Sequence, residues 1–460
     1  MTNFTYSPHA SLHTSHNRHI RTSAIIKMLP LLIIMAYLFS TFFLFMIWPI
    51  NWPIYDSSSW IILSAYIISC FIIIVIGFQF GSKSQLAHTH TQFPWYRIII
   101  FGAIFAIIIL FPSSILYTGR WPWQFLQVIQ FQNEAYKALQ YQLIETAGQR
   151  GPLAAIRALL SPLTFAVIPL GIIHWRTLPK IGKGFVIATA FASIIFSTLR
   201  GTDRELADLF IISGSATLVA IGRGGASQGL SALKRYWKPA LAIILFLYVA
   251  ATVFTERKGA RLGGYEQRIS VCANDSNICT DIDAPLINWM PLSQRFGVSF
   301  FILSTCSGYY GLQLAMEKPF HSTYGLGHSP AIMSLYTLFT EDKQFSTRTY
   351  TYRNSIEGWV EENYWSSLIT WLANDVGFIG ALFVLAWLGW LWGKTWYSAT
   401  MGGSDPAAVL FCLVMVMLFY LPANNQVFAS YDGYVTFFVW MIIWIRQIST
   451  SLRNKRQIFR

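Results

Sequence analysis

Ten apolar runs divide this chain, and they leave few folds open to it. They cover about 28–50, 58–80, 96–117, 153–175, 183–197, 206–222, 239–255, 366–392, 405–421 and 429–445. A helix needs roughly 20 mostly apolar residues to cross a bilayer. Most of the runs approach that length; the fifth and sixth are short. Pro, Ser and Gly interrupt several of them, as membrane helices tolerate. Charged residues make up only 12% of the 460, hydrophobic ones 54%, and the mean hydropathy is +0.46. A soluble globular chain carries about a quarter charged residues, and a disordered one needs low hydrophobicity. Both are excluded. The expected fold is an all-α polytopic membrane protein of about ten transmembrane helices. The first run is too long for the apolar core of a signal peptide and lies behind a polar, His-rich tail.

A net charge of +13 suggests at first a nucleic acid or another anionic partner. The distribution of the charge points elsewhere, because Lys and Arg collect on the cytoplasmic side of membrane proteins. With the N-terminus inside, 18 of the 33 basic residues fall in inner segments, with Asp405 as the only acid among them. Arg18, Arg21 and Lys27 precede the first run; Lys83, Arg97, Lys180, Arg223 and Lys394 mark later inner turns; Arg446 to Arg460 close the chain. In the outer segments acids outnumber bases. The surplus is therefore a topology signal with both termini cytoplasmic, and no nucleic-acid partner is expected. The stretch 296–316 is fairly apolar but contains Ser304, Ser307 and Gly308. As an eleventh span it would put the basic C-terminus outside, so a re-entrant or interface-lying segment is expected.

Three regions result: spans one to seven (1–255), a large outer loop region (256–365), and the last three spans with a basic tail (366–460). A shorter outer segment, 118–151, holds an amphipathic run over 123–146 that could lie on the leaflet. Function is expected to concentrate in the large loop, which is too long for a connector. Cys272 and Cys279 sit there, flanking a polar stretch. An oxidising compartment would join them as a disulfide; two free thiols are the alternative.

Several polar residues could carry chemistry. Arg200, Asp203, Arg204, Glu205 and Asp208 crowd the short outer turn between the fifth and sixth runs. Arginine is well suited to bidentate phosphate binding, so this cluster could hold a lipid-linked pyrophosphate; an internal Arg–carboxylate network is the plain structural alternative. Arg257 and Arg261 open the large loop against the positive-inside preference and could face a phosphate too. His321 and His328 bracket Tyr324-Gly325-Leu326-Gly327, and a histidine could act as a general base near neutral pH. Asp375 lies about 13 Å deep by helical rise if its helix starts at Ser366. It could be functional or an N-cap.

These features resemble the Wzy-type repeat-unit polymerases of O-antigen and exopolysaccharide assembly, relatives of the O-antigen ligases. Asn374-Asp375-Val376-Gly377-Phe378-Ile379-Gly380 is similar to an Asp-Phe-Gly-type stretch opening a late span in that family. The Arg200–Asp208 turn resembles its Arg-containing turn, and the large outer loop with Tyr324-Gly325-Leu326-Gly327 matches its layout. An Arg-x10-Gly pattern of some members is missing. The resemblance implies a bacterial inner-membrane glycosyltransferase with its active site facing the periplasm. Its donor and acceptor would be undecaprenyl-pyrophosphate-linked oligosaccharides. Transfer would be inverting and metal-independent, with no cofactor; membrane lipids and a chain-length regulator are the implied partners. Arg200, Arg204, Arg257 and Arg261 would bind pyrophosphate, and Asp203, His321 and Asp375 are the base or orienting candidates. Tyr309, Tyr310 and Tyr324 would stack on sugars. The ligase, with lipid A core as acceptor, and a lipid-linked glycan transporter are the competing readings. The ligase's His-x10-Gly pattern is not met by His321 or His328. A transporter would need polar residues spread along several spans.

Overall fold

The computed structural model describes residues 24–54, 56–83, 93–130, 138–139, 141–142, 150–224, 270–272, 278–361 and 364–458. The chain is an all-α, multi-pass membrane protein. Among the described residues seven helices are long and apolar enough to span a bilayer. They are α1 (Ile26–Ile47 within Ala24–Ile47), α2 (Ser57–Lys83), α3 (Trp95–Thr118), α5 (Gly151–Ile173), α6 (Lys180–Arg200), α7 (Arg204–Arg223) and α11 (Leu368–Thr400). Between and after them come α4 (Phe125–Gln130), α8 (Leu292–Met316), α9 (Pro330–Thr340), α10 (Tyr350–Ile356), α12 (Asp405–Tyr420) and α13 (Tyr431–Ile458). The seventh apolar run, 239–255, lies outside the described residues.

The fifth and sixth runs, short in sequence, extend to full helices because polar ends join them. Gly201, at φ 63°, closes α6 in the left-handed conformation that glycine adopts without penalty. The ninth run is α12, with 16 residues, and every residue from Asp405 to Leu418 is buried. A helix apolar all round belongs inside a bundle. Enclosed by protein, it need not match the roughly 30 Å of bilayer hydrocarbon.

Glycine sets the closest approach in the bundle. Gly77 and Gly81 on α2 face Gly389 and Gly393 on α11, two interlocked GxxxG patterns. A Cβ added at Gly77 would stand 2.3 Å from Ala386 O, and one at Gly81 2.1 Å from Trp390 O. At Gly389 and Gly393 it would meet Ile74 O at 2.5 Å and Phe78 O at 2.2 Å. In lipid, helices gain little from hydrophobicity against each other, so such backbone proximity carries association.

The helix ends form two faces. At one, Trp396 Nε1 donates to Lys27 O, and Asp405 accepts from His174 and Arg223. At the other, Leu368 N donates to Leu421 O and Arg157 pairs with Asp432. The described residues of 270–361 pack on this second face. There β1 (Ser270–Cys272) and β2 (Cys279–Asp281) form a hairpin closed by a Cys272–Cys279 disulfide. The hairpin is tethered to the exit of α1 by Asn51 N to Cys279 O (3.1 Å) and Asp281 N to Pro49 O (2.8 Å).

Residues 296–316 belong to the 25-residue helix α8, anchored to the C-terminal half of α1. Trp48 Nε1 donates to Ser299 Oγ (3.2 Å), and Tyr309 meets Thr41 (3.1 Å). Gly308 lies against the backbone at Pro422 and Ser367, at the mouth of the bundle.

Overpacking a tight contact typically costs about 1–3 kcal/mol. Gly81→Leu or Gly393→Leu is expected to lower the Tm of the detergent-solubilised protein by several degrees. Gly184→Leu, where an added Cβ meets nothing within 4 Å, should leave it unchanged. Melting curves of the three variants check this.

Candidate functional site

The second face carries two polar clusters, and their elements explain both. The first is built on α11. Ser367 caps this helix, its Oγ accepting from Thr370 N at 3.2 Å. Asp375 is therefore no N-cap; it stands two turns inside the helix. Two residues on, Gly377 (φ 68°, ψ 176°) breaks the helical backbone. The break frees backbone groups, and the loop 320–329 folds over them.

Asp375 organises that loop. Its Oδ1 accepts from Gly327 N (2.7 Å) and from the Thr323 hydroxyl. Its Oδ2 accepts from His328 N and from His328 Nδ1, both at 2.9 Å. Neighbouring Asn374 is fully buried; it donates to Gly327 O (3.0 Å) and accepts from Tyr350 N (2.8 Å). Gly327 is needed at this contact, because a Cβ there would stand 2.1 Å from Thr323 Oγ1. With Nδ1 held by the carboxylate, neutral His328 presents Nε2 as its basic nitrogen. The ring packs edge-on against Phe428 at 5.5 Å and lies 6.0 Å from Tyr434.

The second cluster rims a cavity of about 370 Å³ between α3, α5, α6, α7, α12 and α13. Its interior is mostly apolar, with residues such as Ile109, Ile168, Ala192 and Val416, interspersed with hydroxyls such as Ser113, Thr164 and Thr189. Its rim holds Arg157, Arg200 and Arg204 with Glu205, Asp208 and Asp432. Arg157 pairs with Asp432 at 2.9 Å and Arg200 with Glu205. Charge at membrane depth is costly unless balanced, and these carboxylates balance it. Among the described residues, Arg200 Nε is buried without a hydrogen-bond partner.

One segment, 421–430, joins the clusters. On its first side Arg204 donates to Gln426 O (3.3 Å), and Gln426 Nε2 donates to Asp208 (2.7 Å). On the other, Asn425 Nδ2 donates to His328 O (2.6 Å) and Ser329 Oγ to Phe428 O (2.6 Å).

Several expectations need correction. Asp375 meets His328 and not His321, which is exposed on the same loop. Glu205 and Asp208, not Asp203, line the cavity beside Arg200 and Arg204; Asp203 occupies the N-cap position of α7. Tyr309 and Tyr310 are not open to sugars. Tyr309 is 0% exposed, packed on Phe42 and Phe45, and Tyr310 stacks on Trp52 and packs edge-on against Trp359. Their rings fill the core under α8. Tyr324 is 73% exposed and carries the Arg348 guanidinium 4.9 Å from its ring centroid. Arg257 and Arg261 lie outside the described residues. Sequence reasoning missed Arg157 and Asp432 because they come from α5 and α13, far apart in the chain. Arg157 within an apolar run was the available signal.

An all-α membrane bundle with an arginine-rimmed cavity and an aspartate-held histidine on one face is the class that fold and site define. Compared with protein-family models, curated proteins and solved structures, the chain matches none.

Asn374→Ala would strand the buried Tyr350 N–H and Gly327 C=O, each costing about 1–3 kcal/mol. The variant is expected to melt well below the parent, and proteolysis within 320–329 should accelerate. Limited digestion followed by mass spectrometry reads this directly.

Proposed function

We propose that the protein is a glycosyltransferase that polymerises polyprenyl-pyrophosphate-linked oligosaccharide repeat units. The observation that carries this reading is the cavity: three arginines, with Glu205, Asp208 and Asp432 beside them, line one largely apolar cavity inside a membrane bundle. That combination suits an amphipathic anion, with diphosphate at the rim and prenyl chain below. The sequence likeness to the Wzy-type polymerases supports the same reading. So does the basic surplus at the opposite face, which favours a cytoplasmic setting for that face and a periplasmic one for the site under the positive-inside preference. Ten spans with both termini inside complete this topology.

In this reading His328 Nε2 takes the proton of an acceptor hydroxyl, while Asp375 fixes the ring and stabilises the imidazolium. The acceptor oxygen bonds to the anomeric carbon of the donor glycan. The bond from that carbon to the pyrophosphate oxygen breaks, and polyprenyl pyrophosphate departs with the electron pair. Arg157, Arg200 and Arg204 offset the charge that develops on it. An in-line displacement puts base and leaving group on opposite sides of the carbon, so they should be separated. The segment 421–430 lies between them. Tyr324, propped by Arg348, supplies an open aromatic surface for a sugar.

Loss of the gene should leave a single repeat unit on the surface acceptor in a polysaccharide gel. A mutant with no glycan there and long lipid-linked glycan accumulating would indicate a ligase, and normal ladders would refute both. With purified protein and lipid-linked repeat units, His328→Ala and Asp375→Asn are expected to slow extension about 10²–10⁴-fold. Arg204→Ala should slow it about 100-fold or more, and His321→Ala should retain near-parent rates. Extension undiminished in His328→Ala would remove the base assignment.

A further inference from the structure

Helix α9 leaves the site directly from His328. Ser329 caps it, its Oγ accepting from Ile332 N at 3.3 Å, and Pro330 opens it. The eleven residues Pro330–Thr340 contain no charged side chain. One face is used within the protein: Ala331 is buried, and Tyr336 packs on Phe345 with ring centroids 4.5 Å apart. The other face is exposed among the described residues. Leu335 is 37% exposed, Leu338 72% and Phe339 78%. Three large apolar side chains on one short helix face mark a contact surface rather than scattered exposure.

The surroundings identify what covers it. α9 packs against α13, and Ser329 bonds to Phe428 O just before the first turn of that helix. α9 therefore starts at the rim of the bundle, where the apolar surfaces of the spans end. Those surfaces carry exposed Ile61, Ile72, Phe101, Ile108, Phe191 and Ile445, and lipid is their solvent. At its far end α9 meets Glu341, Asp342 and Lys343, and Asp342 Oδ1 accepts from Gln344 N (3.0 Å) and Phe345 N (3.2 Å) to turn the chain back. A helix with an exposed apolar face, starting at bundle-rim level and ending in charge, can seat that face at the boundary between headgroups and acyl chains.

We propose that α9 is a membrane anchor that inserts Leu335, Leu338 and Phe339 into the acyl-chain region of the adjacent leaflet. The helix then ties His328, two residues before it, to the height of the bilayer surface. A lipid-carried substrate presents its reacting group close to that height. The placement of α9 holds whatever substrate the site takes, so its test stands apart from tests of glycan transfer.

The experiment uses the full chain in nanodiscs, with a bimane label on Leu338→Cys or Phe339→Cys. Ile61→Cys, 69% exposed on α2, is the lipid-facing control, and Asp342→Cys is the aqueous control. The native free cysteines Cys70, Cys306 and Cys412 are all buried. Quenching is measured with nitroxide-bearing phospholipids and, separately, with aqueous iodide. Both α9 labels are expected to follow Ile61→Cys, with lipid quenching about twofold or more above that of Asp342→Cys. Labels that follow Asp342→Cys, quenched by iodide, overturn the proposal. Labels shielded from both quenchers overturn it too, since protein would then cover the face.

Discussion

Asp375 sets the main constraint on this structure. It places an ionisable carboxylate in a mostly apolar helix, where an unsatisfied charge is costly. The protein satisfies it with four donors from one loop: Gly327 N, His328 N, His328 Nδ1 and the Thr323 hydroxyl. To bring them there, α11 breaks at Gly377, Gly327 gives up a side chain, and Asn374 pins both Gly327 and Tyr350. The position of His328 and the start of α9 follow from that network.

The same economy governs the other cluster. Three guanidiniums in a membrane bundle need counter-charge, and α7 and α13 provide it through Glu205, Asp208 and Asp432. Segment 421–430 has polar partners on both flanks, with Gln426 toward Arg204 and Asp208, and Asn425 toward His328. A change in one cluster therefore has a short physical route to the other: a single residue step along the backbone. Beneath both, glycine contacts bring α2 and α11 together at close range, and beside the break Tyr66 Oη donates to Phe378 O (2.7 Å).

The sequence made much of this legible, and its failures have physical reasons. The spans follow from runs of apolar residues, a local property. The Arg200–Asp208 turn was visible because its charges are contiguous. Asp375 stood out because a carboxylate near an apolar run is rare. What composition could not supply was pairing across distance. His321 and His328 have the same chemistry and the same loop, and only the fold decides that Asp375 takes the second. Arg157 meets Asp432 across 275 positions. The resemblance assigns Tyr309 and Tyr310 to sugars, yet α8 packs them under the bundle mouth.

The central claim is that the arginine-rimmed cavity holds a polyprenyl diphosphate. A cryo-EM structure of the full chain in nanodiscs with a non-transferable polyprenyl-diphosphate glycan tests it most directly. The account predicts diphosphate density in contact with Arg157, Arg200 and Arg204, with the prenyl chain descending past Ile168 and Val416. Diphosphate bound elsewhere, or a cavity left empty at saturating ligand, would contradict it.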